Sequence, residues 1–407
     1  MKGRLMVVGF LLSDLFSLAG NAIIAIALPL LVLQVTQDPI AAGTVAVSAA
    51  VPQLLAALVG GYVVDRWDRR KVSITADVIS ALSVASIPLV DLTFGLSTGW
   101  FIVLGIAGSF GDVPGTTARQ ALAPRVAKLS GLSIDRIAAL RGANTGLVTA
   151  IAPAVAGFLM TQLPGATVMW ITAATSFTAA LVTTSLPQAL GAREHSSGPL
   201  PAVTWRTSLH GFRVVKTKPL IRSIMSVTAA SGVILGSIQG LLLPIHFESV
   251  GRPDQLGLTL SAMAVGMLAG ASASVFLHTR FSRRKRFIAG MVLLSGGLGS
   301  LALLLPAWWP LVAAGCAGIG SGMVNAVLQS ALMDTIAEDE RGRVMSAQNM
   351  LILSCNPVGL AATTLALQVG GVTSASMVMA ICAAVFGVGS LASRALRLLN
   401  GSADMDH

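Results

Sequence analysis

The chain has 407 residues, of which 54% are hydrophobic and only 11% are charged, and its formal net charge is +10 at pH 7. A mean hydropathy of +0.79 and repeated apolar stretches of about 20 residues indicate an integral membrane protein and exclude a soluble globular domain. These stretches are apolar on every face, whereas the strands of a membrane barrel alternate polar and apolar residues, so the spans are predicted to be helices.

Apolar runs separated by turn-forming residues predict twelve membrane-spanning helices. The first six lie near residues 6–33, 41–64, 72–94, 99–121, 138–162 and 166–187. The next six lie near residues 219–247, 255–279, 287–305, 309–333, 344–367 and 373–398. The predicted fold is therefore an all-α integral membrane protein of two pseudo-symmetric six-helix bundles. Its parts are an N-terminal bundle (1–187), a polar cytoplasmic linker (188–218) and a C-terminal bundle (219–407).

Lysine and arginine residues gather on one side of this predicted topology. Apart from Arg252, they occupy the N-terminus, the loops after even-numbered spans, the C-terminus or the adjoining helix ends. Because cytoplasmic segments of membrane proteins are enriched in Lys and Arg, both termini are predicted to be cytoplasmic. This topology and contact with anionic membrane lipids account for the net charge, so no nucleic-acid partner is expected.

Aspartates inside predicted spans are the first candidates for chemistry. Asp14 lies in the first span and Asp112 in the fourth, and a charged side chain near a helix centre costs about 2.5 to 3.5 kcal/mol on insertion scales. A carboxyl group in a low-dielectric cavity can bind and release a proton near neutral pH, so Asp112 is the first candidate for proton coupling and Asp14 the second. The alternative is that each forms a structural ion pair with a nearby arginine, such as Arg119 or Arg141.

Glycine recurs every four residues in the seventh and eighth predicted spans, at Gly232, Gly236 and Gly240 and at Gly266 and Gly270. This spacing places the glycines on one face of each helix and predicts close packing between helices. Sliding of these faces during transport is an alternative interpretation that the sequence does not separate from packing.

A charged hairpin follows the second predicted span, with Gly61, Asp65, Arg66, Arg69 and Arg70 as its main residues. A second hairpin, 279–285, repeats the aromatic and basic positions of the first 214 residues later. The two hairpins, the twelve spans and the central linker resemble the major facilitator superfamily, and the run 65–71 most resembles its macrolide and multidrug efflux (drug:proton antiporter) branch. Asp68 stands where the commonest family pattern has a glycine that turns with positive φ.

The resemblance implies roles for several of these residues. Asp65 and Arg69 are expected to join a charge network that braces the cytoplasmic helix ends, and the hairpin is expected to control a cytoplasmic gate. Pro153 and Gly157 in the fifth span resemble the antiporter motif of drug exporters, although alanine stands at two positions where glycine is usual. Small residues beside proline are also typical of any closely packed membrane helix.

The resemblance further implies a central cavity, lined by eight of the spans. Amide side chains on those spans are predicted substrate contacts, with interhelical hydrogen bonding as the alternative role: Asn21, Gln53, Asn144, Gln239, Asn325, Gln329 and Asn356. Scattered amides among aliphatic side chains favour small lipophilic or amphipathic substrates over sugars, because apolar burial supplies the affinity.

Other chemistry is not indicated. The three cysteines show no disulfide or metal-ligand spacing, and no phosphate-binding loop occurs in the sequence. Together with the resemblance, this predicts a secondary transporter in a bacterial inner membrane that exports lipophilic or amphipathic drugs by proton antiport and alternating access, has no cofactor and no enzymatic activity, and works as a monomer. The open alternatives are a lipid or metabolite carrier of the same fold, possibly an importer, and a membrane sensor or enzyme.

Overall fold

A computed structural model describes residues 2–191, 218–305, 308–336 and 338–393, and these residues form helices joined by short turns, without any strand. The first helices are α1 (Lys2–Thr36), α2 (Pro39–Arg66), α3 (Arg69–Phe94), α4 (Thr98–Ser130), α5 (Ile134–Gln162) and α6 (Gly165–Thr184), followed by a 3-10 turn (Gln188–Leu190). The later helices are α7 (Pro219–Ser237), α8 (Pro253–Phe276), α9 (Arg283–Ala302), α10 (Trp309–Thr335) and α11 (Glu338–Ala392). Most of the predicted linker lies outside the described residues.

Two of these helices depart from regular α-helical geometry. The chain leaves α7 through a π-helical turn (Ile238–Leu242) and continues as the short helical segment Leu243–Ser249. The long helix α11 is broken at Gly370 and Gly371, where Gly371 has φ +67°. A left-handed φ is readily adopted by glycine because it has no Cβ, so this glycine pair separates two membrane-length stretches.

The predicted all-helical membrane fold is confirmed. In the described part of the chain, nine helices are long and apolar enough to cross a membrane, with α11 counted once. Helices α4 and α9 fall outside this set; α4 carries Asp112, Arg119 and Arg125, and α9 begins with three arginines and a lysine. The predicted count of twelve spans is matched only when α4 and α9 are included and α11 is divided at its glycine pair.

The residues divide into two compact units, Met1–Leu200 with Phe247–Gly257, and Pro201–His246 with Leu258–His407. In the first unit, an apolar cluster joins α1, α4, α5 and the 3-10 turn through the buried side chains of Phe10, Leu122, Val126, Ile137 and Leu190. This cluster lies at the end of the unit where α4 finishes, and it fixes the ends of the helices that carry the charged residues described below.

Glycines set the helix contacts of the second unit, as their spacing predicts. The glycine face of α7 packs on α11: Cβ atoms added at Gly232 and Gly236 would lie 3.1 Å from Cys355 Cβ and 2.7 Å from Asn356 Oδ1. Helix α8 approaches α10 so closely that a Cβ at Gly266 would lie 3.1 Å from Ile319 N. At Gly266 the nearest atoms belong to the backbone of α10, so a side chain there would displace the neighbouring helix, whereas the atom nearest to a Cβ at Gly232 or Gly236 belongs to a side chain of α11.

The two hairpins begin their following helices in the same way. Asp68 caps α3, with its Oδ1 accepting a hydrogen bond from Lys71 N at 3.0 Å, and Ser282 caps α9, with its Oγ accepting from Lys285 N at 3.4 Å. Asp68 does not adopt the positive φ of the glycine in the common family pattern, since its φ is −61°. A side-chain acceptor in extended geometry satisfies a free N–H of the first helical turn, which explains how aspartate is accommodated at this position.

Removing this cap is expected to weaken the first unit. Asp68→Ala should lower the free energy of unfolding by about 1 kcal/mol, because a first-turn N–H of α3 loses its acceptor. Asp68→Asn, which keeps an acceptor oxygen, serves as the matched control and should change the free energy by a few tenths of a kcal/mol. Thermal unfolding in detergent measures both variants, and an equal loss in both would show that charge rather than capping matters.

Candidate functional site

Five charged side chains are brought together inside the first unit and are called here the buried charge cluster. Its members are Asp14 on α1, Asp77 on α3, Asp112 and Arg119 on α4, and Arg141 on α5. Asp14, Asp77 and Arg119 expose 1%, 3% and 3% of their surface. Charges are rarely buried so deeply in membrane helices unless they are paired, and such groups mark ion and proton pathways.

The first pair of the cluster joins α1 to α5. Arg141 donates from Nη2 to Asp14 Oδ1 at 2.9 Å and from Nε to Oδ2 at 3.4 Å, and its guanidinium lies 6.0 Å from the centroid of the Phe10 ring. Asn144 adds a second link between the same helices by donating from Nδ2 to Leu11 O at 2.9 Å. Two-pronged Arg–carboxylate contacts hold geometry well, so Asp14 has the arginine partner that the structural interpretation predicts.

The second pair joins α3 to α4. Arg119 donates from Nη2 to Asp77 Oδ2, and Ser17 of α1 donates to Asp77 Oδ1 at 3.0 Å. Asp77 therefore connects three helices, and Arg119 pairs with Asp77 instead of Asp112 or Asp14. Sequence analysis did not select Asp77, although Ser73, Asp77 and Ser80 at i, i+4 and i+7 form one polar face on an otherwise apolar helix.

Asp112 has a different environment from the other two aspartates. Its half-buried carboxylate accepts a hydrogen bond from Ser80 Oγ, and within the described ranges it forms no ion pair. The glycine before it allows this contact, because a Cβ at Gly111 would lie 2.7 Å from both Ala76 O and Ser80 Oγ. Asp112 is thus a carboxylate whose observed side-chain partner is a neutral hydroxyl.

The predicted amide contacts are distributed over both units. Asn21, Gln53 and Asn144 lie in the first unit, and Asn144 forms the interhelical hydrogen bond described above. In the second unit, Gln239 lies in the π-helical turn and donates from Nε2 to Met263 Sδ at 3.3 Å. The others in that unit are Asn325 and Asn356, which are exposed, and Gln329, which is half-buried. The structure brings only Asn144 to the buried charge cluster.

Two arginines of the first hairpin bind main-chain carbonyl groups of other helices. Arg69 donates from Nη1 to Ala121 O at 3.0 Å, and Arg70 donates to Thr183 O at 3.2 Å and to Thr184 O. Arg70 thereby satisfies carbonyl groups in the last turn of α6. Its positive charge also interacts favourably with the negative end of the helix dipole there. These bonds connect the start of α3 to the C-terminal half of α4 and to the end of α6.

The remaining hairpin residues are placed only in part. Arg66 is the exposed last residue of α2. The backbones of Gly61 and Asp65 belong to α2, but their side-chain positions lie outside the described part of the structure. In the second hairpin, Arg283 stands at the position of Arg69 and forms an ion pair with Asp334 of α10 at 2.6 Å.

The antiporter-like residues lie in a tightly packed stretch of α5. Pro153 is inside the helix, and Gly157 contacts the segment Phe247–Gly257 of the same unit, where an added Cβ would lie 3.0 Å from Gly257 Cα. This contact supports the packing interpretation of Gly157. The structure gives no geometry at these two positions that indicates a direction of transport.

Metal binding is not indicated at the cluster. No group of three or more His, Cys, Asp or Glu side chains suited to a metal ion occurs within residues 2–191, 218–305, 308–336 and 338–393. The three aspartates of the cluster point instead to arginines and serine hydroxyls. This donor set suits exchange of protons among oxygen atoms, held in position by fixed positive charges.

Comparisons with known proteins agree with these observations. A family model described as the Major Facilitator Superfamily matches residues 10–359. The multidrug efflux pump Tap of Mycobacterium tuberculosis (strain ATCC 25618 / H37Rv) is 30% identical over 406 residues, which cover 97% of this chain and 96% of that protein. The multidrug efflux pump Tap of Mycolicibacterium fortuitum is 30% identical over 347 residues, covering 84% of each chain.

Solved structures show the same fold at lower sequence similarity. The nucleoside transporter NupG matches with a TM-score of 0.72 at 15% identity, covering 95% of this chain and 98% of that one. A bacterial homologue of the iron transporter ferroportin matches with a TM-score of 0.70 at 15% identity, covering 95% and 99%. At this level of identity, the likeness establishes the fold and carries no information on substrate.

Proposed function

The chain belongs to the Major Facilitator Superfamily, and from this membership we propose that it exports lipophilic or amphipathic compounds in exchange for protons. Two relatives named as multidrug efflux pumps match it along most of its length at 30% identity, which supports export of several compounds. The proposed place is a bacterial inner membrane, with both termini in the cytoplasm, since Lys and Arg gather on that side. A monomer in contact with anionic lipids is sufficient for this activity.

One observation carries the proton-coupled part of the proposal. Asp112 is a carboxylate within a membrane helix, and its described side-chain partner is the Ser80 hydroxyl, not a cation. Because no cation pairs with it directly, the ionised carboxylate is expensive in a low-dielectric environment, and a proton from water removes that cost. Asp112 is therefore the proposed main proton-binding residue.

Asp14 is proposed to have a secondary role. Its bidentate contact with Arg141 stabilises the ionised carboxylate, so protonation at Asp14 requires that this ion pair separate. Such separation would move α1 relative to α5, because the pair and the Asn144–Leu11 hydrogen bond hold these helices together. Protonation is in this way linked to a change in helix packing, which is what coupling requires.

The substrate is proposed to be recognised mainly through apolar contacts, with amide side chains giving orientation. The proposed contacts remain Asn21, Gln53, Asn144, Gln239, Asn325, Gln329 and Asn356. The hairpin with Gly61, Asp65, Arg66, Arg69 and Arg70 is proposed to act at the cytoplasmic gate, because Arg69 and Arg70 join the start of α3 to carbonyls of α4 and α6. Pro153 and Gly157 are proposed as packing residues on an exporter's fifth span. No cofactor or catalytic step enters this scheme.

Counterflow in proteoliposomes tests the substrate class. Vesicles loaded with unlabelled ethidium should accumulate labelled ethidium transiently, because exchange through one carrier needs no gradient of protons. Other lipophilic compounds added inside should also drive this uptake, whereas a nucleoside or a phospholipid should not. Protein-free vesicles are the control for passive entry. Counterflow driven by the phospholipid or the nucleoside alone would replace drug export by the lipid or metabolite alternative.

A further inference from the structure

The buried charge cluster contains three carboxylates and two guanidinium groups in one connected arrangement. Arg141 donates to Asp14 of α1. Ser17, also on α1, donates to Asp77, which accepts a second hydrogen bond from Arg119. Ser80, three residues after Asp77 on α3, connects to Asp112. The charge of Asp14 acts on Asp77, and the charges of Asp77 and Arg119 act on Asp112, so the three carboxylates are electrostatically linked through Asp77.

The surrounding helices add little other charge at this depth. Helix α6 has no charged residue, and α2 has none before Asp65, near its end. Arg69 and Arg70 donate to main-chain carbonyls, and Arg125 and Lys128 lie closer to the end of α4. With all carboxylates ionised, three negative charges meet two positive charges, so the cluster retains one negative charge.

The net charge of the cluster, one negative charge, is what proton binding would neutralise. Removing charges from water is costly, and a buried cluster is most stable when its charges cancel. A single proton bound from water by one carboxylate oxygen makes the cluster neutral, and release of that proton restores one negative charge. A second proton would leave the cluster positive, which burial opposes equally.

The Asp77–Arg119 pair contributes one negative and one positive charge to the sum of charges in the cluster. Both residues are only 3% exposed, and Arg119 Nε is buried without a hydrogen-bond partner among the described residues. Arg119 therefore retains an unused donor next to a carboxylate that accepts one hydrogen bond on each oxygen. Ser73, on the polar face of α3, likewise buries an Oγ without a partner there. A guanidinium with a free donor can stabilise negative charge that shifts between neighbouring carboxylates.

We propose that the buried charge cluster exchanges one proton per transport cycle, and that the Asp77–Arg119 pair sets this number by leaving one negative charge uncompensated. The inference rests on the proposed function and goes beyond it by assigning a stoichiometry and two positioning residues. During the cycle, a hydronium ion of the outer solution gives its proton to a carboxylate oxygen, so that one O–H bond breaks as another forms. On the cytoplasmic side the carboxyl O–H bond breaks as water accepts the proton, and no oxidant or reductant takes part.

The stoichiometry has an electrical consequence that wild-type protein can test. Exchange of one proton for one monovalent lipophilic cation moves no net charge, whereas exchange of one proton for a neutral compound moves one charge. A tenfold K+ gradient with valinomycin imposes a membrane potential, which acts on each net charge that is moved. Ethidium accumulation should therefore change by less than about twofold, and accumulation of a neutral substrate should change by up to about tenfold. A tenfold response with ethidium would mean two protons and would overturn the proposal.

Charge-exchange variants test the role of the pair. Asp77→Asn leaves a neutral cluster without a proton, and Arg119→Gln leaves two uncompensated negative charges. Each should lower pH-gradient-driven ethidium accumulation by about tenfold or more, since breaking a buried pair leaves a charge unpaired. The double variant Asp77→Asn with Arg119→Gln again has one negative charge and should recover to within about threefold of wild type, the sign of coupling in a double-mutant cycle.

The outcomes separate this inference from the proposed function. Loss of gradient response in wild type would remove proton-coupled export itself. A response in wild type with both single variants active would make the pair irrelevant to coupling. A double variant as inactive as the single variants, yet still able to bind ethidium by fluorescence, would show that Asp77 or Arg119 acts individually and not through the charge sum. If the variants fail to fold, the valinomycin measurement on wild type still decides the stoichiometry.

Discussion

Asp112→Asn is expected to abolish accumulation driven by a pH gradient while leaving substrate binding intact. Asparagine keeps the size of the side chain and an acceptor oxygen for Ser80 Oγ, but it cannot exchange a proton. The variant should resemble the permanently protonated carrier, so gradient-driven accumulation of ethidium should fall by about 10- to 100-fold, the usual range of coupling between two ligands. Ethidium counterflow, which needs no proton gradient, should stay within about threefold of wild type.

The matched control is Asp91→Asn. Asp91 lies on α3 near its far end and is exposed, so the same chemical change there should leave both transport measurements as in wild type. Gradient-driven accumulation by Asp112→Asn at the wild-type level would exclude Asp112 as the proton-binding residue. Loss of both accumulation and counterflow, with protein still folded, would instead assign Asp112 to substrate binding or to the conformational change.

Gly322→Ala is expected to destabilise the second unit severely. Helix α10 passes so close to α8 here that an added Cβ would contact Met267 O and lie 2.7 Å from Ala271 N. Both neighbours are backbone atoms, so the helices must separate and lose their packing along the whole contact. We expect the free energy of unfolding to fall by about 2 kcal/mol or more, even though alanine favours an α-helix by about 1 kcal/mol over glycine.

Gly315→Ala, on the same helix, is the control for that experiment. A Cβ at Gly315 would meet no atom within 4 Å, so this substitution should be neutral or stabilising by up to about 1 kcal/mol. Thermal unfolding of both variants in the same detergent gives the comparison. Equal stability of the two variants would contradict the close approach of α8 and α10.

The helices were predictable because membrane spans must satisfy their backbone hydrogen bonds internally and be long enough to cross the bilayer. The glycine contacts at Gly236 and Gly266 were also visible in the sequence, since a four-residue spacing puts small residues on one face. Helix ends were less predictable. Helix α1 extends to Thr36 and α4 to Ser130, because polar turns can continue a helix beyond its apolar run.

The site was only partly predictable. Hydropathy singled out Asp14 and Asp112, because a charge stands out within an apolar stretch. Partner choice, in contrast, depends on how two helices approach and rotate, and Gly111 brings α4 against α3 in a register that gives Ser80 to Asp112 and Asp77 to Arg119. Asp77 was missed because it lies near a predicted helix end, where a charge is ordinary. The polar face shared by Ser73, Asp77 and Ser80 was the available signal.

The most direct test of proton-coupled export is transport by wild-type protein of known orientation in proteoliposomes. Ethidium fluorescence is followed after a pH gradient is imposed in either direction, with nigericin added in K+ medium to collapse it. We predict that ethidium moves against the proton flow, reverses when the gradient is reversed, and stops with nigericin. Ethidium movement that ignores both the direction and the collapse of the gradient would contradict proton coupling.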